Sequence, residues 1–64
     1  MKRTDLQRHL RDYGCNRHRE GANHTIWINP ANNKRTAVPR HVEIRTGLAR
    51  DICDQLGIPR PSKR

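Results

Sequence analysis

The sequence contains no phenylalanine, one tryptophan and one tyrosine. Any core it builds must therefore rest on aliphatic side chains, and these are scarce too. Only eleven of 64 residues are Leu, Ile or Val, below the roughly 20% at which a highly charged chain tends toward disorder. A domain of this size buries about 60% of its unfolded surface, and its core rarely contributes more than roughly 3 to 5 kcal/mol. One marginally stable domain is the ceiling. Long apolar runs are also missing. Nothing approaches the roughly 18 to 20 residues of a membrane span, and the amino terminus lacks the apolar stretch of a secretory signal. A cytoplasmic protein without membrane contact is expected. Two cysteines, Cys15 and Cys53, are too few for a disulfide framework, so reduced, structural thiols are expected. Acidic residues are the last shortage: six Asp and Glu against 14 Lys and Arg leave a net charge of +8. Summed charge acts on association rather than on fold, so a polyanion or an acidic partner protein is expected. Nucleic acid is the first candidate; an acidic membrane surface lacks its supporting amphipathic helix.

Pattern overrules composition on the question of order. Thr4-Asp5-Leu6-Gln7 has the form of a capping box, and Leu6, His9, Leu10 and Tyr13 follow at helical spacing, with Gly14 as a left-handed stop. A second helical stripe, Leu48, Ala49, Ile52, Cys53 and Leu56, runs from about 47 to 56 with Thr46 as its expected N-cap, Gly57 as its end and Pro59 beyond. Residues 1–58 then form one domain, and 59–64 a mobile basic tail. Between the helices, residues 25–29 make the best strand, and 35–38 a second that Pro39 ends or confines to an edge. Asn32-Asn33 suits their hairpin loop. The polar segment 15–20 occupies the place of a first strand, with Gly21 at the turn. The order α-β-β-β-α is an α+β fold, a three-stranded antiparallel sheet with two helices on one face. Side chains alternate along a strand. Two aliphatic residues against one aromatic favour Ile26 and Ile28 facing the helices. Trp27 would then lie on the open face as a stacking platform or partner contact, with His24 on the side of the isoleucines.

Four histidines need separate readings. His9 on the helix stripe reads as packing or hydrogen bonding, His18 as exposed in the weakest strand, and His41 as the exit of the last strand. His24 stands where a flexible turn enters the best strand, a place that makes a side chain both exposed and firmly based. RNA cleavage suits it: attack of a ribose 2′-OH on its own phosphate needs a proton removed, a proton delivered and cations around the phosphorane. Imidazole serves either proton step near neutral pH. Arg17, Arg19, Lys34, Arg35 and Arg40 are the candidate cations, each with the plainer reading of a solvated basic face. Cys15, His18 and His24 do not stand at a standard zinc spacing, so neither a metal nor another cofactor is expected.

The stretch from Arg19 to Trp27, together with Asn29-Pro30, Val38-Pro39-Arg40-His41, Glu43-Ile44, Gly47-Leu48-Ala49 and Leu56-Gly57-Ile58, resembles the HicA family of toxins. These are small RNA-cleaving proteins of type II toxin-antitoxin systems. The resemblance covers about residues 4 to 58. It implies a double-stranded-RNA-binding-domain-like fold, a metal-independent endoribonuclease acting on messenger RNA, and neutralisation by a HicB-like antitoxin that covers the active histidine. The family's catalytic histidine closes a Gly-Ser-His-like motif whose counterpart is His24, although Ala22-Asn23 precedes it here and Gly21 stands one place earlier. His41 matches a recurrent family position with a structural or RNA-contacting role.

A single histidine lacks one proton partner, which His18, His41 or water would supply. The competing readings are a non-catalytic RNA-binding module, which would bind in a salt-sensitive way without product, and a basic component of a larger assembly. The free chain is expected as a monomer or weak dimer, its small core gaining stability from the partner by mass action.

Overall fold

Leu6 and Leu10, a turn apart and both fully buried, set the inner stripe of helix α1, Arg3–Asp12. The computed structural model describes residues 1–61. In it α1 is followed by strands β1 (Asn16–Glu20), β2 (His24–Asn29) and β3 (Lys34–Pro39), and then by helix α2, Thr46–Leu56. This is the expected α-β-β-β-α order. Gly14, at φ 84°, stops α1: its N–H donates to the Arg11 carbonyl (2.9 Å) and the Cys15 N–H to that of Leu10 (2.9 Å). The helix starts earlier than the capping-box reading has it. Lys2 is the N-cap and no side chain caps. Backbone pairing decides this: Lys2 bridges Glu43, the Arg3 N–H donates to Val42 O (2.9 Å), and the Ile44 N–H donates to Met1 O (2.8 Å). Thr4 is thereby drawn inside the first turn, where its hydroxyl cannot cap. Tyr13, the end of the expected stripe, is 48% exposed.

The sheet is antiparallel in the order β1-β2-β3, with the most apolar strand in the middle. Pro39 pairs with His24 at the end of the edge strand β3, where a missing N–H donor is tolerated. β1 is exposed throughout and bulged: Arg17 lies opposite Trp27 and Arg19 opposite Ile26, leaving His18 as the extra residue. Asn33 takes φ 63° in the loop between β2 and β3, as its side chain permits.

The expected facing of β2 is reversed. Trp27 is fully buried against the helices, and Ile26 and Ile28 are half-buried on the open face. In a chain without phenylalanine, Trp27 is the largest apolar side chain available to fill the space between sheet and helices, and close packing selects it. Its flanking polar residues find partners there. Asn29 Nδ2 donates to the Leu56 carbonyl (2.8 Å), and the Thr36 hydroxyl donates to Gln55 Oε1 (2.5 Å), so the sheet closes the last turn of α2. Arg11 of α1 lies over the Trp27 ring at 5.5 Å, which places both helices on this face.

Ala49, Ile52, Cys53 and Leu56 carry the inner stripe of α2, whereas Leu48 is 39% exposed. Thr46 is the first helical residue and not the cap. Ile44 is sunk in the core, the chain turns straight after it, and Arg45 already accepts from the Ala49 N–H (2.9 Å). Gly57, at φ 72°, ends α2. Of the segment expected as a tail, residues 62–64 lie outside the described residues. Pro59 O is hydrogen-bonded by the His9 ring (2.7 Å), and Arg60 pairs with Asp54 (2.9 Å), which holds the Asp54 carboxyl below its usual range. No helix among the described residues is long and apolar enough to cross a membrane.

Candidate active site and nucleic-acid surface

The link between β1 and β2 is short enough to dictate its own residues. The Gly21 N–H donates to the His24 carbonyl at 2.7 Å. A Cβ on Gly21 would stand 3.1 Å from that oxygen, so glycine is what lets the chain return this tightly. Neither Ala22 nor Asn23 adopts positive φ, and the turn is therefore not of the primed type whose twist suits a hairpin. Something else must hold it.

Arg40 does. Its Nη1 donates to the Ala22 carbonyl (3.0 Å), and its Nη2 to the Glu20 carboxylate (2.5 Å) and to the Gly21 carbonyl. The His24 carbonyl and the Thr25 hydroxyl lie at 3.4 Å from Nη2 and Nε. Thr25 Oγ1 in turn donates to Glu20 (3.2 Å). The backbone of Arg40 is itself fixed, since its carbonyl accepts from Arg3 Nη1 of α1 (2.5 Å). A guanidinium fork matches several acceptors at once, as an ammonium does not.

His24 is thus held by its backbone on both sides while its ring is exposed. With Ala22, Asn23, Arg40 and His41 it lines an open depression of about 490 Å³. His41 is exposed and follows Arg40 directly. His18, at the bulge, does not line the depression. His9 lies elsewhere, bonded to Pro59 and 4.9 Å from the Tyr13 ring, the hydrogen-bonding place its stripe position implied.

Register sorts the expected cations. Arg19 pairs with Ile26 and Arg35 with Ile28, so both share the open face with His24. Arg17 stands opposite Trp27 and Lys34 opposite Asn29, on the helix side. Arg17 also lies 3.9 Å from Glu20. Sequence reasoning missed Glu20 and Arg3 as parts of this site. Glu20 carried a signal, being the one acid between residues 16 and 41; Arg3 carried none.

The cysteines belong to the core. Both are free and buried, away from exposed His18 and His24. Burial, with smaller contributions from Asp54 and Cys15, pushes the Cys53 thiol up to about 11, and burial raises Cys15 as well. Such thiols are inert.

No curated protein and no solved structure matches the chain. The family model of the HicA toxin of bacterial toxin-antitoxin pairs matches residues 3–58. That span holds all the residues of the depression and of the Arg40 clasp. By this match the chain belongs to the HicA toxin family, the toxin half of a pair whose other half is a cognate antitoxin.

Proposed function

We propose that the protein is an endoribonuclease that cuts messenger RNA without a metal, with His24 as general acid or base. The reading rests on one observation above the rest: an exposed imidazole on a fixed backbone shares an open depression with a second imidazole, His41. Cleavage by the ribose 2′-OH needs two proton transfers. One ring takes the proton of the hydroxyl and the other delivers a proton to the departing 5′ oxygen, leaving a cyclic phosphate and a free 5′-hydroxyl. Each role is worth roughly 10² to 10⁴ in rate. Arg19 and Arg35 hold the neighbouring phosphates on the open face, and the developing charge needs fixed cations there. An acidic HicB-like antitoxin would neutralise the toxin by covering His24.

The test is cleavage of a defined single-stranded RNA by the unaltered protein and by His24→Ala, both in EDTA and both shown folded by circular dichroism. Loss of cleavage by roughly 10² or more in the variant, with RNA binding kept, is expected. Equal cleavage by both removes His24 from the chemistry. Binding by both with no product replaces the nuclease with a non-catalytic RNA-binding module.

A further inference from the structure

We infer that Arg40, through its ion pair with Glu20, is a positioning residue that sets the catalytic ring of His24 in place and does not itself hold RNA. The inference deepens the ribonuclease reading and rests on it. A basic side chain beside a nuclease depression would ordinarily be assigned to phosphate. Each guanidinium nitrogen of Arg40 already faces an acceptor, and one N–H of Nη1 is left over. Nη1 is bonded to Ala22 O, Nη2 to Glu20 and Gly21 O, and Nε faces Thr25 Oγ1. All of these acceptors lie in the turn that delivers His24 or beside it. Moving the guanidinium to a phosphate would strip the Ala22 and Gly21 carbonyls of this partner and leave Glu20 with only Arg17, at 3.9 Å, as its cation.

The turn also needs such a clasp. It has an unprimed backbone, and its cross-turn bond, Gly21 N–H to His24 O at 2.7 Å, ends on the carbonyl of the functional residue itself. The direction of force is set from outside the turn, since Arg3 of α1 fixes the carbonyl of Arg40 at 2.5 Å. A chain of two arginines therefore runs from α1 to the turn, and the ring of His24 inherits its orientation from it. Glu20 supplies the charge that keeps the guanidinium turned inward, with Thr25 Oγ1 holding the carboxylate (3.2 Å).

Glu20→Gln gives the two assignments opposite signs. It removes a negative charge from a basic face, so RNA affinity stays or tightens in either case. If Arg40 positions His24, kcat falls by roughly tenfold to a hundredfold, the loss expected from a small misplacement of a reacting group. If Arg40 is a phosphate contact restrained by Glu20, freeing it raises both affinity and kcat, and the inference is overturned. Arg40→Lys keeps the charge and loses the fork. A similar fall in kcat is expected, with KM changed less than about twofold and the salt slope of binding unchanged, whereas loss of a phosphate contact lowers that slope by about one. The double variant should be no slower than the worse single one, because residues acting as a unit are not additive; additive losses refute the pairing. A readout independent of catalysis is exchange of the Gly21 amide, expected to quicken at least tenfold in both variants while the melting of Trp27 fluorescence shows the fold retained. Should the unaltered protein cut no RNA, the nuclease reading falls and the inference falls with it as a statement about catalysis. The Gly21 exchange then decides the clasp alone, unchanged protection overturning it.

Discussion

Three glycine-to-alanine replacements separate two costs that are usually measured together, left-handed strain and steric collision. Gly47 lies in the first turn of α2 without positive φ, and an added Cβ meets nothing within 4 Å. Gly47→Ala should stabilise by roughly 0.4 to 1 kcal/mol, mainly through the unfolded chain. Gly14 has φ +84° and open space around it, so Gly14→Ala isolates the strain of a left-handed L-residue, about 1 to 2 kcal/mol. Gly57 has φ +72°, and its added Cβ would stand 2.7 Å from Asn32 Nδ2. That nitrogen donates to the Leu56 carbonyl at 3.0 Å, so making room for the methyl forfeits a hydrogen bond worth about 0.5 to 1.5 kcal/mol. The sum for Gly57→Ala is roughly 1.5 to 3.5 kcal/mol. Against a core that rarely supplies more than about 3 to 5 kcal/mol, this is a large part of the stability. At roughly 4 to 8 °C per kcal/mol in a domain this small, Tm should drop by about 6 to 28 °C, and for Gly14→Ala by about 4 to 16 °C. Urea denaturation followed by Trp27 fluorescence gives each value, provided the m-values agree. A Gly57→Ala cost equal to that of Gly14→Ala would mean that the Asn32 bond contributes nothing. A neutral Gly57→Ala would refute the left-handed argument itself.

Trp27→Ala should leave the chain unfolded at room temperature by circular dichroism, since removing a buried tryptophan costs about 3 to 5 kcal/mol and Trp27 is 0% exposed. Trp27→Phe should cost under about 1.5 kcal/mol: the smaller ring leaves a void, but the buried Nε1, which has no partner among the described residues, disappears, and an unsatisfied donor carries roughly 1 to 3 kcal/mol. A Phe variant as unstable as the Ala variant would contradict this. Stability should also fall as pH rises from about 9 to about 11. The Cys53 pKa is raised in the folded state from 9.0 to about 11, so the unfolded chain loses its proton first and is favoured there. Below pH 9 the contribution is complete, and a Cys53→Ala protein whose denaturation midpoint falls just as steeply over that window would remove Cys53 as the cause.

The order of elements was legible because each helix carries its own stripe and its own glycine stop, and because the central strand is the one apolar run bounded by Gly21 and Pro30. The facing of that strand was not. Ile-Trp-Ile alternates whichever face is buried, and counting aliphatics assumes that the core takes the larger number. Here the core takes Thr25, Trp27 and Asn29, and Asn29 earns its place by bonding to a carbonyl 27 residues away, a partner that no local pattern announces. Helix starts failed for a related reason. Thr4 and Thr46 are good caps locally, but the strand-like pairing of Lys2 with Glu43 and the burial of Ile44 choose where the backbone begins to coil. The exposed place of His24 after a turn was legible; the clasp around that turn joins residues 3, 20 and 40, and only the folded chain brings them together.

The net charge of +8 is less informative than where it is left unopposed. On α1, Arg3 is spent on the Arg40 carbonyl, Arg11 lies over Trp27, and Arg8 shares its surface with Asp5 and Asp12. On α2, Arg50 is followed by Asp51, and Asp54 is taken by Arg60. The α2 region, residues 43–60, is therefore balanced at three charges of each sign, and α1 carries acids among its basic residues. On the open sheet face Arg19 and Arg35 flank Ile26 and Ile28 with no acid among them, because the one acid of the sheet, Glu20, is turned to Arg40. A long rigid duplex gripped through α1 would meet Asp5 and Asp12. On the proposed reading, a flexible single strand laid across the sheet would meet arginines for its phosphates, isoleucines for its bases, and His24 at the end of the row. Changing Arg19 or Arg35 to Gln should each lower the salt slope of RNA binding by about one, whereas Arg8→Gln, on the α1 face, should leave it unchanged. Equal slopes for all three variants would place RNA somewhere other than this face.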